Sequence, residues 1–295
     1  MTIAMCYLAP EGVVLGADST SSTVITSGLG AGGFHYLNHN QKLFELGEQS
    51  TVGIITWGLG GLSSTSHRTL IALFADKVRA KPATSLKEVA VGWANDFWSA
   101  YNVDGFVSIF KTLDAKPPHD PNNSNSRTPE EESQHGNLKN NLVVGFCLAG
   151  YWPPDRQVGA FEIVFSPTMK SAPSPRALPM SGGGFWGMPN MIKRLIYGVD
   201  ENVIATILQS GKWSGTQAEL ECLLNQFQLG HPPLPIRDAI DFVHSCIHST
   251  IKAMKFSNLS QVCGGPIEIG VITSDRLFRW VRHKPWDAAI MEGAI

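Results

Sequence analysis

The sequence carries little charge and no bias in its sign. Charged residues fill 16% of the 295 positions, and 23 lysines and arginines against 25 aspartates and glutamates leave a formal net charge of −2. Without a basic excess there is no electrostatic handle for nucleic acid or for an anionic membrane surface, and neither is expected as a partner. Long apolar runs are missing as well, since no stretch approaches the roughly 20 residues of a bilayer-spanning helix. The opening segment MTIAMCYLAPEG lacks a basic region, an extended apolar core and a small-residue cleavage site, so no secretory signal is expected and the cytoplasm is the expected compartment. Cysteine is sparse and odd in number: Cys6, Cys147, Cys222, Cys246 and Cys263 show no C-x-x-C spacing and read as reduced thiols. H-E-x-x-H is absent too. His244 and His248 stand four apart without an evident third ligand and read as packed or half-exposed histidines, so no metal or other cofactor is expected.

What is present is a chain rich in short apolar segments. Hydrophobic residues make up 43% of it, enough for a sizeable core, and the thinly charged surface suggests that other subunits cover part of it. Residues 3–8 and 13–17, separated by Ala9-Pro10-Glu11-Gly12, predict a hairpin; residues 42–46 and 51–57, separated by Gly47-Glu48-Gln49-Ser50, predict a second. Between them lies a Ser/Thr/Gly-rich loop from Ser19 to Gly33. Residues 63–80 and 84–100 show helical periodicity, with Thr84 or Ser85 as the cap of the second helix. The polar, Pro/Asn/Ser-rich stretch 112–141 has almost no large apolar residue and predicts a flexible loop insertion. Strands return at 141–151 and 159–166. A helical and loop region, with 198–236 as an insertion, leads to a long helix over 237–256, and strands at 267–273 and 277–281 follow. Strands, helices, strands, helices, strands in that order fit two sheets with helical layers, and not alternating βαβ units.

A glycine run at 180–187 satisfies G-x-G-x-x-G through Gly182, Gly184 and Gly187. Dinucleotide binding would need a strand before it and an acidic residue some 20 positions beyond. The preceding SAPSPRALPM is a poor strand, and no acidic residue stands at that distance. Cys6, mid-strand and flanked by apolar residues, reads as a small core residue.

Three segments carry a family resemblance: TIAMCYLAPEGVVLGAD (2–18), QKLFELGEQSTVGIITWGLGG (41–61) and MSGGGFWG (180–187) resemble proteasome β-subunits and the related ring-forming bacterial protease. In that family a Thr opens the first strand, an acidic residue ends the second, a Lys starts the third and a Gly after the fourth donates an oxyanion N–H. Thr2, Asp18, Lys42 and Gly58 match those positions. The resemblance implies a single domain over 1–295 with a four-layer αββα sandwich, the N-terminal-nucleophile hydrolase fold, and an enzyme that cleaves peptide bonds through an acyl-enzyme on Thr2 after removal of Met1. A threonine hydroxyl needs a base; the free α-amine of the same residue, with a reference pKa of about 7.7–8, suits that task. Lys42 would lower the proton affinities around it, Asp18 would pair with Lys42, and the Gly58 N–H would face the tetrahedral oxyanion. By the same resemblance Ser181 bonds the Thr2 amine, the backbone of Ser22 and Gly60 adds a strand to an extended peptide, and Thr56 and Trp57 shape the first specificity pocket. Ser260 and Cys263 stand where the family carries Asp and then Ser, and Ser260 is assigned the supporting role. The resemblance also implies a homo-oligomer, of which a ring is one form, acting on a peptide or protein, with an ATPase partner left open. A small-amide amidase, a non-catalytic scaffold of the same fold, and a nucleotide-binding enzyme using the glycine run are the other readings.

Overall fold

The structure, a computed structural model, describes residues 2–24, 34–153, 155–180, 182–258 and 262–284. It divides into two compact units: Met1–Gln41 with Met180–Val271 and Trp280–Ile295, and Lys42–Pro179 with Ile272–Arg279.

The first unit is built around strands that are apolar along their whole length. β1 (Ile3–Ala9) and β2 (Gly12–Ala17) are buried at every position, which explains why their sequences show no alternation. They pair antiparallel, with Ala4 opposite Ala17 and Ala9 opposite Gly12, so the turn predicted at 9–12 is present. The five-stranded sheet has the order β10-β1-β2-β11-β12, where β10 is Gly183–Gly187, β11 is Glu268–Thr273 and β12 is Arg276–Arg282. The helix α8 (Ile236–Phe256) packs on β1 and β2 through Ala239, Val243, Cys246, Ile247, Thr250 and Met254. Val243, Ile247 and Met254 form its buried stripe, while Ile240 and Ile251 are only partly buried at its margin. Gly16 makes this contact close, because a Cβ there would come within 2.6 Å of Val243. Between Asp18 and Lys42, where a loop was expected, β3 (Ser21–Val24) and β4 (Phe34–Leu37) form a two-stranded antiparallel hairpin. The 198–236 region carries α6 (Glu201–Gln209) and α7 (Gln217–Asn225) after α5 (Asn190–Tyr197).

The second unit holds an antiparallel sheet of order β5-β6-β7-β8-β9: Leu43–Glu45, Val52–Gly58, Val144–Tyr151, Val158–Phe165 and Arg176–Ala177. On it lie α1 (His67–Ala80) and α2 (Leu86–Tyr101), capped by Ser66 and Ser85. Trp93 and Phe97 of α2 meet Phe146 of β7 at ring-centroid distances of 5.0 and 4.7 Å, forming the aromatic centre of this core.

The stretch 112–141 departs from expectation. Its first residues end α3 (Gly105–Asp114), and 129–141 are the helix α4 (Pro129–Asn141). Composition argued against order because it counted apolar area alone; here polar groups satisfy one another. Thr128 and Glu131 form a capping box, Lys116 pairs with Glu131 at 2.6 Å, and Arg127 pairs with Glu132 at 2.7 Å while donating to the Leu113 carbonyl. His135 stacks on Phe110 and reaches Asp114 at 2.9 Å. None of the helices among the described residues is long and apolar enough to cross a membrane.

Candidate functional site

The first unit concentrates its buried polar groups where β1 begins. Thr2, with residue 1 still attached, is 4% exposed, and Asp18 is fully buried. Asp18 brackets the strand start: its Oδ1 accepts the Ile3 N–H at 3.0 Å, and its own N–H donates to the Ile3 carbonyl at 3.1 Å. Its Oδ2 accepts from the Gly264 N–H at 2.8 Å and from the Thr20 N–H at 3.3 Å. Three backbone donors thus satisfy a carboxylate that burial would otherwise penalise. They also join three segments distant in sequence, the residue after Thr2, the end of β2 and the loop before β11.

Two glycines complete this arrangement. Gly187 lies opposite Ile3 in the β1–β10 ladder with φ +83°, and a Cβ there would stand 1.8 Å from the Thr2 carbonyl oxygen. No other residue type can occupy that position without displacing Thr2. Gly265, at φ +69°, does the same beside the Asn38 carbonyl, where a Cβ would come to 2.5 Å. The Gly264 carbonyl in turn accepts the N–H groups of Ser19 and Thr20, both at 3.0 Å, and the Thr20 hydroxyl donates to Asn38 Oδ1. Cys263, beside this loop, is fully buried.

The second unit holds Lys42, Thr56, Trp57, Gly58 and Gly60. Lys42 is 4% exposed, and its carbonyl accepts the Thr56 N–H at 2.9 Å, which fixes the entry to β5 against β6. A lysine buried to this extent is retained against a desolvation cost, which singles it out among the lysines of the chain. Thr56 turns its hydroxyl to the Gly145 carbonyl at 3.1 Å. The Trp57 indole lies over Gly145, where a Cβ would meet it at 2.1 Å, so that glycine is what admits the ring. Gly58 ends β6 at φ +84° and is exposed; a Cβ there would strike the Val143 carbonyl at 2.3 Å. Gly60 is likewise exposed. In the first unit, Ser22 stands opposite Tyr36 in the β3–β4 hairpin. Ser181 and Ser260, assigned to hold the amine and support the threonine, lie outside the described residues.

Among solved structures, the chain is similar to the Gly-1 mutant of Anbu from Hyphomicrobium sp. strain MC1, at 12% identity and a TM-score of 0.52, over 100% of this chain and 93% of that one. The fold is proteasome-like. No protein-family model matches the chain, and no curated protein matches it either. At this identity the likeness speaks for the fold alone and leaves the activity to be argued from the residues.

Within a proteasome-like fold the two competing motifs find other uses. Gly183–Gly187 form β10, an edge strand paired with β1, so this part of the run is itself a strand and not the turn from strand to helix that a dinucleotide site requires. Its glycines permit close backbone approach: the Gly182 carbonyl accepts the Leu8 N–H at 2.9 Å, and Gly183 sits where a Cβ would meet the Cys6 carbonyl at 2.8 Å. His244 and His248 are stacked, and Arg282 donates to His244 Nε2 at 2.9 Å, pointing a cation at the atom a metal would need. Burial and that guanidinium both hold the His244 imidazole below its ordinary value. Cys6 is fully buried in β1, and burial pushes the Cys246 thiol up to about 11.

Sequence reasoning named Thr2, Asp18, Lys42 and Gly58 but did not single out Gly187 or the Gly264 loop. The signal for Gly187 was its place at the end of a glycine run. For Gly264 it was the paired glycines before an apolar strand.

Proposed function

We propose that the chain is a threonine-type amidohydrolase of the proteasome-like kind, in which Thr2, once it carries a free α-amine, attacks a peptide or amide carbonyl. The observation that supports this most directly is the mooring of the strand start. A buried carboxylate, Asp18, and a glycine, Gly187, constrain the peptide that joins Thr2 to Ile3. Pre-set geometry at a nucleophile is worth orders of magnitude in rate.

In this scheme the Thr2 amine accepts the hydroxyl proton, the hydroxyl oxygen adds to the carbonyl, and the Gly58 N–H stabilises the oxyanion. The proton then passes from the amine to the leaving nitrogen as the C–N bond breaks, and water hydrolyses the ester. Lys42 supplies positive charge that favours the deprotonated amine and hydroxyl. Ser22 and Gly60 hold an extended substrate by their backbone, Thr56 and Trp57 set the first pocket, and Ser181 and Ser260 support the amine. A homo-oligomer is part of the proposal.

A small amide as substrate, or a scaffold without turnover, is favoured by one observation: Thr2 is nearly inaccessible while residue 1 remains. Treatment with a β-lactone or a peptide epoxyketone, followed by intact-mass and fragment analysis, separates these readings. A single adduct on Thr2, absent from Thr2→Ala, is expected. Processed protein that forms no adduct would remove the hydrolase reading, and an adduct with turnover of small amides but not peptides would select the amidase.

A further inference from the structure

A second, half-buried lysine lies near the mooring of Thr2, and it is not one the proposed reaction uses. Lys284, whose side chain is 11% exposed, directs its ammonium at three acceptors: Glu268 Oε2 at 3.0 Å, the Asn40 carbonyl at 3.0 Å and the Ser19 hydroxyl at 3.2 Å. A lysine ammonium has three N–H donors, so its capacity is filled. Glu268 is fully buried at the start of β11. Its other oxygen lies 2.7 Å from His283 Nδ1, close enough for an ion pair but out of line for a hydrogen bond, and the His283 ring stacks on Trp280 at 4.1 Å.

The two chain segments that Lys284 grips both bear on the nucleophile. Ser19 follows Asp18 directly, and its N–H donates to the Gly264 carbonyl. Asn40 donates its own N–H to the Ser19 carbonyl at 2.9 Å and precedes Lys42 by two residues. A surface salt bridge would contribute little here. A filled ammonium on a buried carboxylate is different, because any movement of Ser19 or Asn40 takes away one of its three acceptors.

We propose that Lys284 and Glu268 form a positioning pair that fixes the Asp18–Ser19 segment and the Asn40 segment, and through them the geometry of Thr2. The inference rests on the reading of Thr2 as nucleophile for its kinetic consequence and on the geometry alone for its structural one. Lys284 touches no reacting atom; it acts through Ser19 and Asn40.

The test compares the full-length protein with Lys284→Met and with the double variant Lys284→Met/Glu268→Gln. The single change strands a buried carboxylate and is expected to lower stability. The double change removes that charge along with the lysine, so stability returns toward wild type while the three-way grip stays lost. Two readouts are taken on the double variant. The first is β-lactone labelling of Thr2, with the maximal rate constant separated from the inhibitor's half-saturating concentration. A roughly 10- to 100-fold fall in the maximal rate with little change in half-saturation is expected, in keeping with the sensitivity of nucleophiles to small misplacements. The second is amide hydrogen exchange at Ile3, Thr20 and Gly264, which should speed up at least about 10-fold relative to the β7 amides as Asp18 loses its fixed place. A double variant with wild-type labelling and wild-type exchange would overturn the proposal and leave the pair with charge balance alone. Wild-type protein that is never labelled would instead remove the hydrolase reading, and the exchange readout would still decide for or against the positioning pair.

Discussion

At the scale of the residue, Thr2 is held by groups whose own freedom is used up. Asp18 spends its two oxygens on three N–H donors, and Gly187 has no room for even a methyl group. Asp18→Asn puts an amide NH2 among those donors and leaves at least one of them unpaired. We expect a loss of about 2–4 kcal/mol in stability, read from urea denaturation, and loss of the Thr2 adduct. Gly187→Ala imposes a left-handed φ on an L-residue and forces the Thr2 carbonyl aside. Labelling of Thr2 should fall by about 100-fold while the protein stays folded by circular dichroism. Labelling at the wild-type rate in Gly187→Ala would show that the backbone at Thr2 is not tightly set.

Elements show which parts of the fold could be read in the chain and which could not. β1, β2, β6 and β7 were legible because each is a short apolar run bounded by turn residues, and α2 because its apolar face and its Ser85 cap agree. The β3–β4 hairpin was not, because its sequence is polar and rich in residues that serve loops equally well. β10 was hidden by glycines, which have low strand propensity but are required against β1. α4 was missed for a related reason: it buries no residue and is held by its capping box and by ion pairs with the chain preceding it. Thr128→Ala should therefore cost about 1 kcal/mol, an unusually large effect for an exposed site, measurable as a shift in the urea midpoint. Of the candidate site, Thr2, Asp18, Lys42 and Gly58 were named through the family resemblance, whose positions they match in order. Lys284 was not, since nothing in the sequence near 284 indicates that its partners lie at Ser19 and Asn40.

For the molecule as a whole, the response to pH is set in part by one residue of the second unit. His67 begins α1 buried between Phe97 and Phe146, its Nε2 without a hydrogen-bond partner, and desolvation lowers its pKa from 6.5 to about 4. The folded protein thus keeps His67 neutral after the unfolded chain has taken up the proton. The sign follows directly: stability from this group is full above about pH 6.5 and is lost as pH falls toward 4, by on the order of 3 kcal/mol. Calorimetry across that window should show a falling transition temperature in wild type and a flatter one in His67→Phe, which places an uncharged ring in the same aromatic setting. An equally steep pH dependence in both proteins would assign it elsewhere.

The Asp18–Gly264 hydrogen bond spans 246 positions, and it has a consequence in time as well as in space. Chains emerge from the ribosome N-terminus first, and contacts between distant segments wait for the later one. Thr2 is made before either partner, and its backbone cannot be fully held until residue 264, and with Lys284 residue 284, has been synthesised. A chain that stops short of these residues therefore carries an unaligned threonine.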